Sequence, residues 1–252
     1  MNANLGSRLR LAALALAVAA FAAAVLEAAA AGQASTSKPA AAARSVKDLY
    51  FDSGPSEGPQ AGSLPPRIGL RYKIILKDLD GDIRHVTEKY NFSTGESIRF
   101  AFESNINGYL YIYHKGASSK GVQLFPDPRI NKGKNQIARF TEVTIPPRMG
   151  KDQGWFKFDA KTGKEELIIL LSPKPIGDLN NLNVDDETHE VNDDGWQTVT
   201  SVTRSSQKPG ARDMYFESEN FEGEEDYEEP SVGYIVSQTP ILIHSFTLKH
   251  VP

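Results

Sequence analysis

The chain of 252 residues contains no cysteine. This absence excludes disulfide bonds, thiolate catalysis and cysteine-ligated zinc, so the folded part must be stabilised by a packed core. It also excludes a lipid-anchored export form, because the lipid would have to be attached to a cysteine at the cleavage site.

An excess of positive charge is also absent. The chain has 28 lysines and arginines against 32 aspartates and glutamates, a formal net charge of −4. Such a surface does not fit nucleic acid as a partner, since phosphate binding requires a basic stripe. Beyond the first 34 residues there is no long apolar run, so we expect no membrane span in the mature chain.

Residues 1–34 have the layout of a bacterial signal peptide. Arg8 and Arg10 give a positive start, the stretch from Leu11 to Leu26 is apolar, and small residues follow. The alternative is an uncleaved anchor, which needs about 20 predominantly apolar residues, whereas Glu27 interrupts this run. We therefore expect cleavage and a soluble protein, either periplasmic or secreted.

The mature chain divides into a linker at residues 35–66 and a domain at residues 67–252. The linker is rich in alanine, proline and glycine, which bury little. Within it, VKDLYFDS at 46–53 recurs in altered form as ARDMYFES at 211–218. We expect both copies to form short strands that pair or pack equivalently at the edge of the domain.

From Gly69 onward, short apolar runs alternate with turn residues, a pattern typical of an all-β sandwich or barrel. Ile98, Phe100 and Phe102 share one face of a strand, as the period of two requires. We predict an all-β sandwich of immunoglobulin-like or related type. The predicted strands are 69–77, 83–88, 97–104, 108–114, 121–125, 140–145, 155–159, 166–172, 232–237 and 241–249.

Residues 173–231 are the least regular part of the domain and predict a long irregular loop before the C-terminal strands at 232–249. The pattern also allows a short helix around 195–206, although threonine and valine there disfavour it. Residues 217–229 hold eight carboxylates and no basic residue. We expect this stretch to be a solvated, mobile loop that binds divalent cations weakly.

Segments over about residues 67–176 resemble the bacterial domain of unknown function (DUF) 4384. The family pattern contains F-x-x-G-D-x-I-R, N-x-x-G-Y-L-Y, L-F-P with a following Asn-Gly turn, and F-x-F followed by G-x-E-x-L. Glu96 replaces the usual aspartate, and Lys132 separates the asparagine from the glycine. The segments are GLRYKI, FSTGESIRFAFESNINGYLYIYHKG, VQLFPDPRINKGKNQI and WFKFDAKTGKEELIILLSPKPI.

The resemblance implies a β-sandwich-like module that occurs in secreted bacterial proteins and, elsewhere, beside kinase-like or caspase-like domains. It implies no activity, because none is assigned to the family. A module that combines with unrelated domains favours a sensing or binding role.

The sequence shows no catalytic, metal or cofactor motif. The five histidines form no HExxH pair, and no GxSxG element occurs. Asp78, Asp80 and Asp82 lack the spacing of a calcium loop and predict a solvated β-turn. His244 lies on the same face of its predicted strand as alternating apolar residues, which predicts that its ring is half-buried. We expect a non-enzymatic protein, and a hydrolase with an unrecognised triad stays an alternative.

Three tyrosines, Tyr109, Tyr111 and Tyr113, share one face of a predicted strand. Core packing is the default interpretation. If the rings were exposed, they could stack on sugars or grip a peptide, with Trp155 joining them. The expected function is therefore an exported interaction or sensing module with a protein or glycan partner in the cell envelope, and the alternative is a glycan- or peptide-binding protein that uses the tyrosine face.

Overall fold

The computed structural model describes residues 45–52, 67–116, 120–149, 153–206, 214–219 and 231–252, the side chains of 206 and 214–219 excepted. The predicted signal peptide and most of the predicted linker lie outside these ranges. The elements are α1 (Val46–Asp52), β1 (Ile68–Lys77), β2 (Ile83–Val86), β3 (Asn91–Ser93), β4 (Ser97–Ser104), β5 (Gly108–Lys115), β6 (Val122–Phe125), β7 (Gln136–Ile137), β8 (Val143–Ile145), β9 (Phe156–Lys157), β10 (Gly163–Ser172), α2 (Gly177–Asn180), α3 (Asp193–Ser206), β11 (Met214–Glu219), β12 (Val232–Ser237) and β13 (Leu242–Val251).

The strands form two sheets that pack face to face. The first has the order β11-β12-β1-β4-β8, with β2 beside β1 and β9 beside β4, and the second has the order β3-β13-β10-β5-β6, with β7 beside β5. The described pairs are antiparallel except that β3 runs parallel to β13. The prediction of an all-β sandwich is confirmed.

The main core lies between the two sheets. Ile98, Phe100 and Phe102 enter it from β4, and Leu167 and Leu171 enter it from β10. Ile168 and Leu170 of β10 are buried on the outer face of the second sheet, so the apolar part of this strand is covered on both faces, as its continuous apolar run predicts.

A third layer covers the outer face of the second sheet. Helices α2 and α3 and the chain between them pack there, with Leu179, Val191 and Val199 buried against the sheet. Together with β11, these helices correct the prediction that 173–231 is a long irregular loop, while the predicted helix at 195–206 is confirmed as part of α3. Burial of one helix face outweighs the weak helix propensity of its threonines and valines.

The start of α3 is fixed by a capping side chain. The Asn192 side-chain oxygen accepts a hydrogen bond from the Gly195 amide at 2.8 Å, and asparagine is among the preferred N-cap residues. Asp193 and Asp194 occupy the first turn, where negative charge is favoured by the helix dipole.

The segment predicted as a strand at 46–53 is a helix, α1, so that prediction is wrong. Ser45 and Asp48 form a reciprocal cap, since the Ser45 hydroxyl accepts from the Asp48 amide and the Asp48 carboxylate accepts from the Ser45 amide. Leu49 and Tyr50 pack on the outer face of β12. In the second copy, residues 214–218 belong to strand β11, which pairs with β12.

The predicted acidic loop begins later than expected. The strand β11 extends to Glu219, so the first residues of the 217–229 stretch belong to the sheet. The remainder of that stretch lies outside the described residues.

Asn105 joins α1 and β1 to the end of β4. Its side chain is fully buried. The side-chain oxygen accepts from the Gly69 amide at 2.6 Å, and the side-chain nitrogen donates to the carbonyls of Tyr50 at 3.1 Å and Arg67 at 3.3 Å. The side-chain amide of Asn105 thus provides hydrogen bonds to three backbone groups.

We expect Asn105→Ala to lower the free energy of unfolding by about 2 kcal/mol, because it leaves buried backbone groups without partners. Urea denaturation measures this change. Asn107→Ala is the matched control, since Asn107 is exposed and accepts one hydrogen bond, from the Arg139 amide. Equal losses in the two variants would contradict the role assigned to Asn105.

Candidate functional site at one end of the sandwich

The tyrosine face predicted from sequence is largely covered. Tyr111 and Tyr113 are 1% and 0% exposed beneath the layer formed by α2 and α3. The Tyr111 hydroxyl donates to the Asn180 side chain at 2.7 Å and accepts from the Ile176 amide at 2.9 Å. The hypothesis of an exposed platform therefore fails for these two residues, because the helical layer occupies the face on which a ligand would stack.

Tyr109 is half-buried at the margin of this layer. Its hydroxyl accepts a hydrogen bond from the Gln136 side chain at 2.7 Å. Burial raises the pKa of Tyr111 and of Tyr113, so both phenols stay neutral in the folded protein.

Trp155 lies next to β9 in the other sheet and does not join the tyrosines. The Arg99 guanidinium lies over its ring, 4.0 Å from the centroid, and Lys77 lies 5.9 Å from it. Arg99 also donates to the carbonyls of Gly154 at 2.6 Å and Gln153 at 3.0 Å. The tryptophan is thus held at the margin of a cavity that it helps to line.

The cavity has a volume of about 400 Å³. It lies between the sheets, at the end where β4 and β10 begin and where β5 and β13 end. Its volume falls within the range of about 300 to 1,000 Å³ that is usual for small-molecule sites. Its apolar walls come from both sheets and consist of Ile98, Phe100, Val122, Leu124, Trp155, Phe156, Phe158, Leu167 and Leu248.

Two histidines belong to the polar part of the lining. His114 of β5 and Glu165 of β10 form a half-buried pair, with 2.7 Å between the His114 ring nitrogen Nε2 and a Glu165 carboxylate oxygen. His250 is buried and lies 3.0 Å from the Thr94 hydroxyl through its own Nε2. Its ring rests on Phe158, with 4.9 Å between centroids.

Charged side chains surround the opening of the cavity. Lys157, Asp159 and Lys161 line it and are exposed. An Asp159 carboxylate oxygen accepts from the Lys161 amide at 2.7 Å, which fixes the local turn. Within the described part of the chain, neither lysine ammonium has an ion-pair or hydrogen-bond partner.

The polar lining residues are histidines, lysines and carboxylates. A histidine paired with a carboxylate is present, and the described lining residues include no serine, threonine or cysteine. Across the described ranges, no group of three or more acidic or histidine side chains could hold a metal ion.

Asp78 caps the turn that also contains Asp80 and Asp82. Its side-chain oxygen accepts from the amides of Asp80 at 3.1 Å and Asp82 at 2.9 Å, so the β-turn prediction is confirmed.

Among the described helices, none is long and apolar enough to cross a membrane.

The turn between β3 and β4 holds one wall of the cavity in place. Gly95 has a φ of 96°, a conformation that favours glycine, and its amide donates to the Phe158 carbonyl at 2.9 Å. The Phe158 amide in turn donates to the Glu96 carbonyl at 2.9 Å. The buried Glu96 carboxylate accepts from the Ser93 amide at 2.7 Å and the Tyr90 hydroxyl at 2.9 Å.

Sequence reasoning missed this site, although its signal was present. Phe156 and Phe158 are the two aromatics of the F-x-F element, and Glu165 and Leu167 belong to the G-x-E-x-L element. All four line the cavity. Two of the elements that carry the family resemblance therefore meet at one place in the fold.

No curated protein matches the chain, and no solved structure matches it. A family model, described as Domain of unknown function (DUF4384), matches residues 91–175. This range includes all of the cavity lining except Leu248 and His250. The resemblance predicted from sequence over about residues 67–176 is confirmed for residues 91–175, the part of the chain that matches the family model.

Proposed function

We propose that this chain is an exported, non-enzymatic binding module of the bacterial cell envelope that takes an apolar group of its ligand into the cavity at the end of the sandwich. The observation that carries the proposal is the cavity itself, about 400 Å³ in volume with mostly apolar walls. Apolar pockets with a few polar groups are the usual form of ligand sites.

A binding role is favoured over catalysis by the composition of the lining. The His114–Glu165 pair could orient a hydrogen-bonding group, but the described lining supplies no hydroxyl or thiol nucleophile. Export is supported by the arrangement of residues 1–34, in which Arg8 and Arg10 precede the apolar stretch. The protein would then act in the periplasm or outside the cell.

The walls also favour one kind of partner chemistry. Apolar side chains gain most from removing an aliphatic or aromatic group from water, whereas a sugar would bring hydroxyls that these walls cannot satisfy. The partner is therefore an apolar small molecule or a protein side chain of the envelope, rather than a glycan.

The proposal is tested with the neutral fluorescent probe N-phenyl-1-naphthylamine, titrated into the purified chain. We expect saturable binding at one site. Val122→Trp should weaken binding by at least about tenfold, because Val122 lines the cavity and the larger ring would fill it; tenfold corresponds to about 1.4 kcal/mol.

Ile83→Trp is the matched control. It adds the same ring at a position that is 62% exposed and does not line the cavity, so it should leave binding unchanged. Absence of binding to the unmodified chain, or equal binding by both variants, would contradict the proposal.

A further inference from the structure

We infer that the ligand of this cavity is a single-chain amphiphile with one anionic head group, such as a free medium-chain carboxylate. The inference rests on the proposed function, since it names the ligand class of the same site. It is carried by the arrangement of charges around an otherwise apolar cavity.

The tail of such a ligand fits the inner part of the cavity. Phe100 and Leu248 are buried, come from opposite sheets and face the same space. Leu167 is buried beside them. An alkyl chain makes no hydrogen bonds and therefore loses none when these walls replace water.

The head group is assigned from the opening. Lys157 and Lys161 are exposed there and, over the residues that the structure describes, their ammonium groups have no acidic partner. Of the two carboxylates in the lining, Glu165 is engaged by His114, whereas Asp159 is exposed and keeps its negative charge while it accepts a hydrogen bond from the Lys161 amide. Two exposed lysines against one exposed aspartate leave an excess of positive charge at the opening, which favours an anion there.

This charge arrangement differs from that of the chain as a whole. The protein has a formal net charge of −4, so an anionic ligand would be repelled from most of its surface. Local positive charge beside an apolar cavity discriminates between head groups mainly at short range, because salt screens exposed charges beyond about 10 Å at 0.1 M ionic strength.

A free amphiphile is favoured over a membrane lipid as the source of this chemistry. A cavity of about 400 Å³ lies near the lower limit for small-molecule sites, which suits one alkyl chain better than two.

The test compares three ligands that share a ten-carbon tail: decanoate, 1-decanol and decyltrimethylammonium. Each is used below its micelle concentration to displace N-phenyl-1-naphthylamine from the purified chain. We expect decanoate to bind about tenfold more tightly than decyltrimethylammonium, because exposed ammonium groups attract the carboxylate and repel the cation. The affinity of decanol should lie between the affinities of the two charged ligands.

The double variant Lys157→Gln/Lys161→Gln should lose this preference for the anion while still binding the neutral probe. Lys132→Gln/Lys134→Gln is the matched control, because both lysines are exposed and neither lines the cavity. We expect that control to keep the full preference.

The outcomes separate the two levels of the proposal. Equal binding of the three ligands, or tighter binding of the cation, overturns the anionic head group and leaves the binding module standing. Failure of both the probe and all three ligands overturns both. Co-sedimentation with phosphatidylglycerol vesicles that Val122→Trp abolishes would assign the cavity to membrane lipid and overturn the free amphiphile.

Discussion

Val199→Asp is expected to lower the free energy of unfolding by about 4 kcal/mol or more. Val199 is 0% exposed and packs in the cluster that joins α3 to the outer face of the second sheet, together with Tyr111 and Leu170. A carboxylate at this position would lose both the apolar contact and its own hydration. Since small domains are stabilised by about 5 to 15 kcal/mol, the variant should lie near the limit of folding.

Gln197→Asp is the matched control, because Gln197 lies in the same helix and is exposed. It should change stability by less than about 0.5 kcal/mol. If Val199→Asp does not fold, Val199→Ala supplies the measurement, with an expected loss of about 2 kcal/mol. Urea denaturation followed by tryptophan fluorescence reports both. A Val199→Ala variant as stable as the unmodified chain would show that the helical layer is not part of the core.

His244 is expected to make stability depend on pH between about 6.5 and 4. Its ring lies between the sheets, with centroid distances of 6.0 Å to Tyr72 and 5.6 Å to Phe246. Burial lowers the pKa of His244 from 6.5 to about 4. Burial, followed by Glu88, raises the pKa of the neighbouring Tyr72, so that phenol stays neutral over this range.

The sign follows from the direction of the shift. The unfolded chain takes up the His244 proton near pH 6.5, whereas the folded chain resists it until about pH 4. The contribution of the neutral ring is therefore complete above pH 6.5 and is lost as the pH falls, by up to about 3 kcal/mol at pH 4.

His244→Phe should remove this part of the pH dependence, measured as the difference between variant and unmodified chain in urea denaturation at pH 7, 6, 5 and 4. Thr247→Phe, at an exposed position of the same strand, should leave the profile unchanged. Parallel profiles for the unmodified chain and His244→Phe would contradict the assignment. The comparison is necessary because carboxylates also titrate in the lower part of this range.

The strands could be predicted because their pattern is local. An alternation such as Ile98, Phe100 and Phe102 is imposed by the pleat of one strand, and the continuous run of β10 indicates cover on both faces. What covers the outer face could not be predicted, because it depends on contacts between Val199 and residues of β5 and β10 that are distant in sequence.

The segment at 46–53 shows how context overrides sequence similarity. It shares its pattern with residues 211–218, yet the first copy forms a helix and the second contains the start of a strand. The Ser45–Asp48 cap favours a helix, and no corresponding serine precedes the second copy by the same spacing.

The candidate site was harder to predict than the fold. The spacing of the tyrosines of β5 can be read from one short segment. Whether their rings are exposed depends on residues that are distant in sequence. The cavity is built from six strands and the loop after β9, so its composition becomes visible only when β4, β5, β6, β9, β10 and β13 are brought together. The F-x-F and G-x-E-x-L elements of the sequence contribute part of the cavity lining.

The most direct test of the proposed function is a crystal structure of the chain grown with decanoate. The account predicts an alkyl chain between Phe100, Leu167 and Leu248, with its carboxylate at the opening beside Lys157 and Lys161. Decanoate bound elsewhere on the surface, with the cavity lacking the ligand, would contradict it.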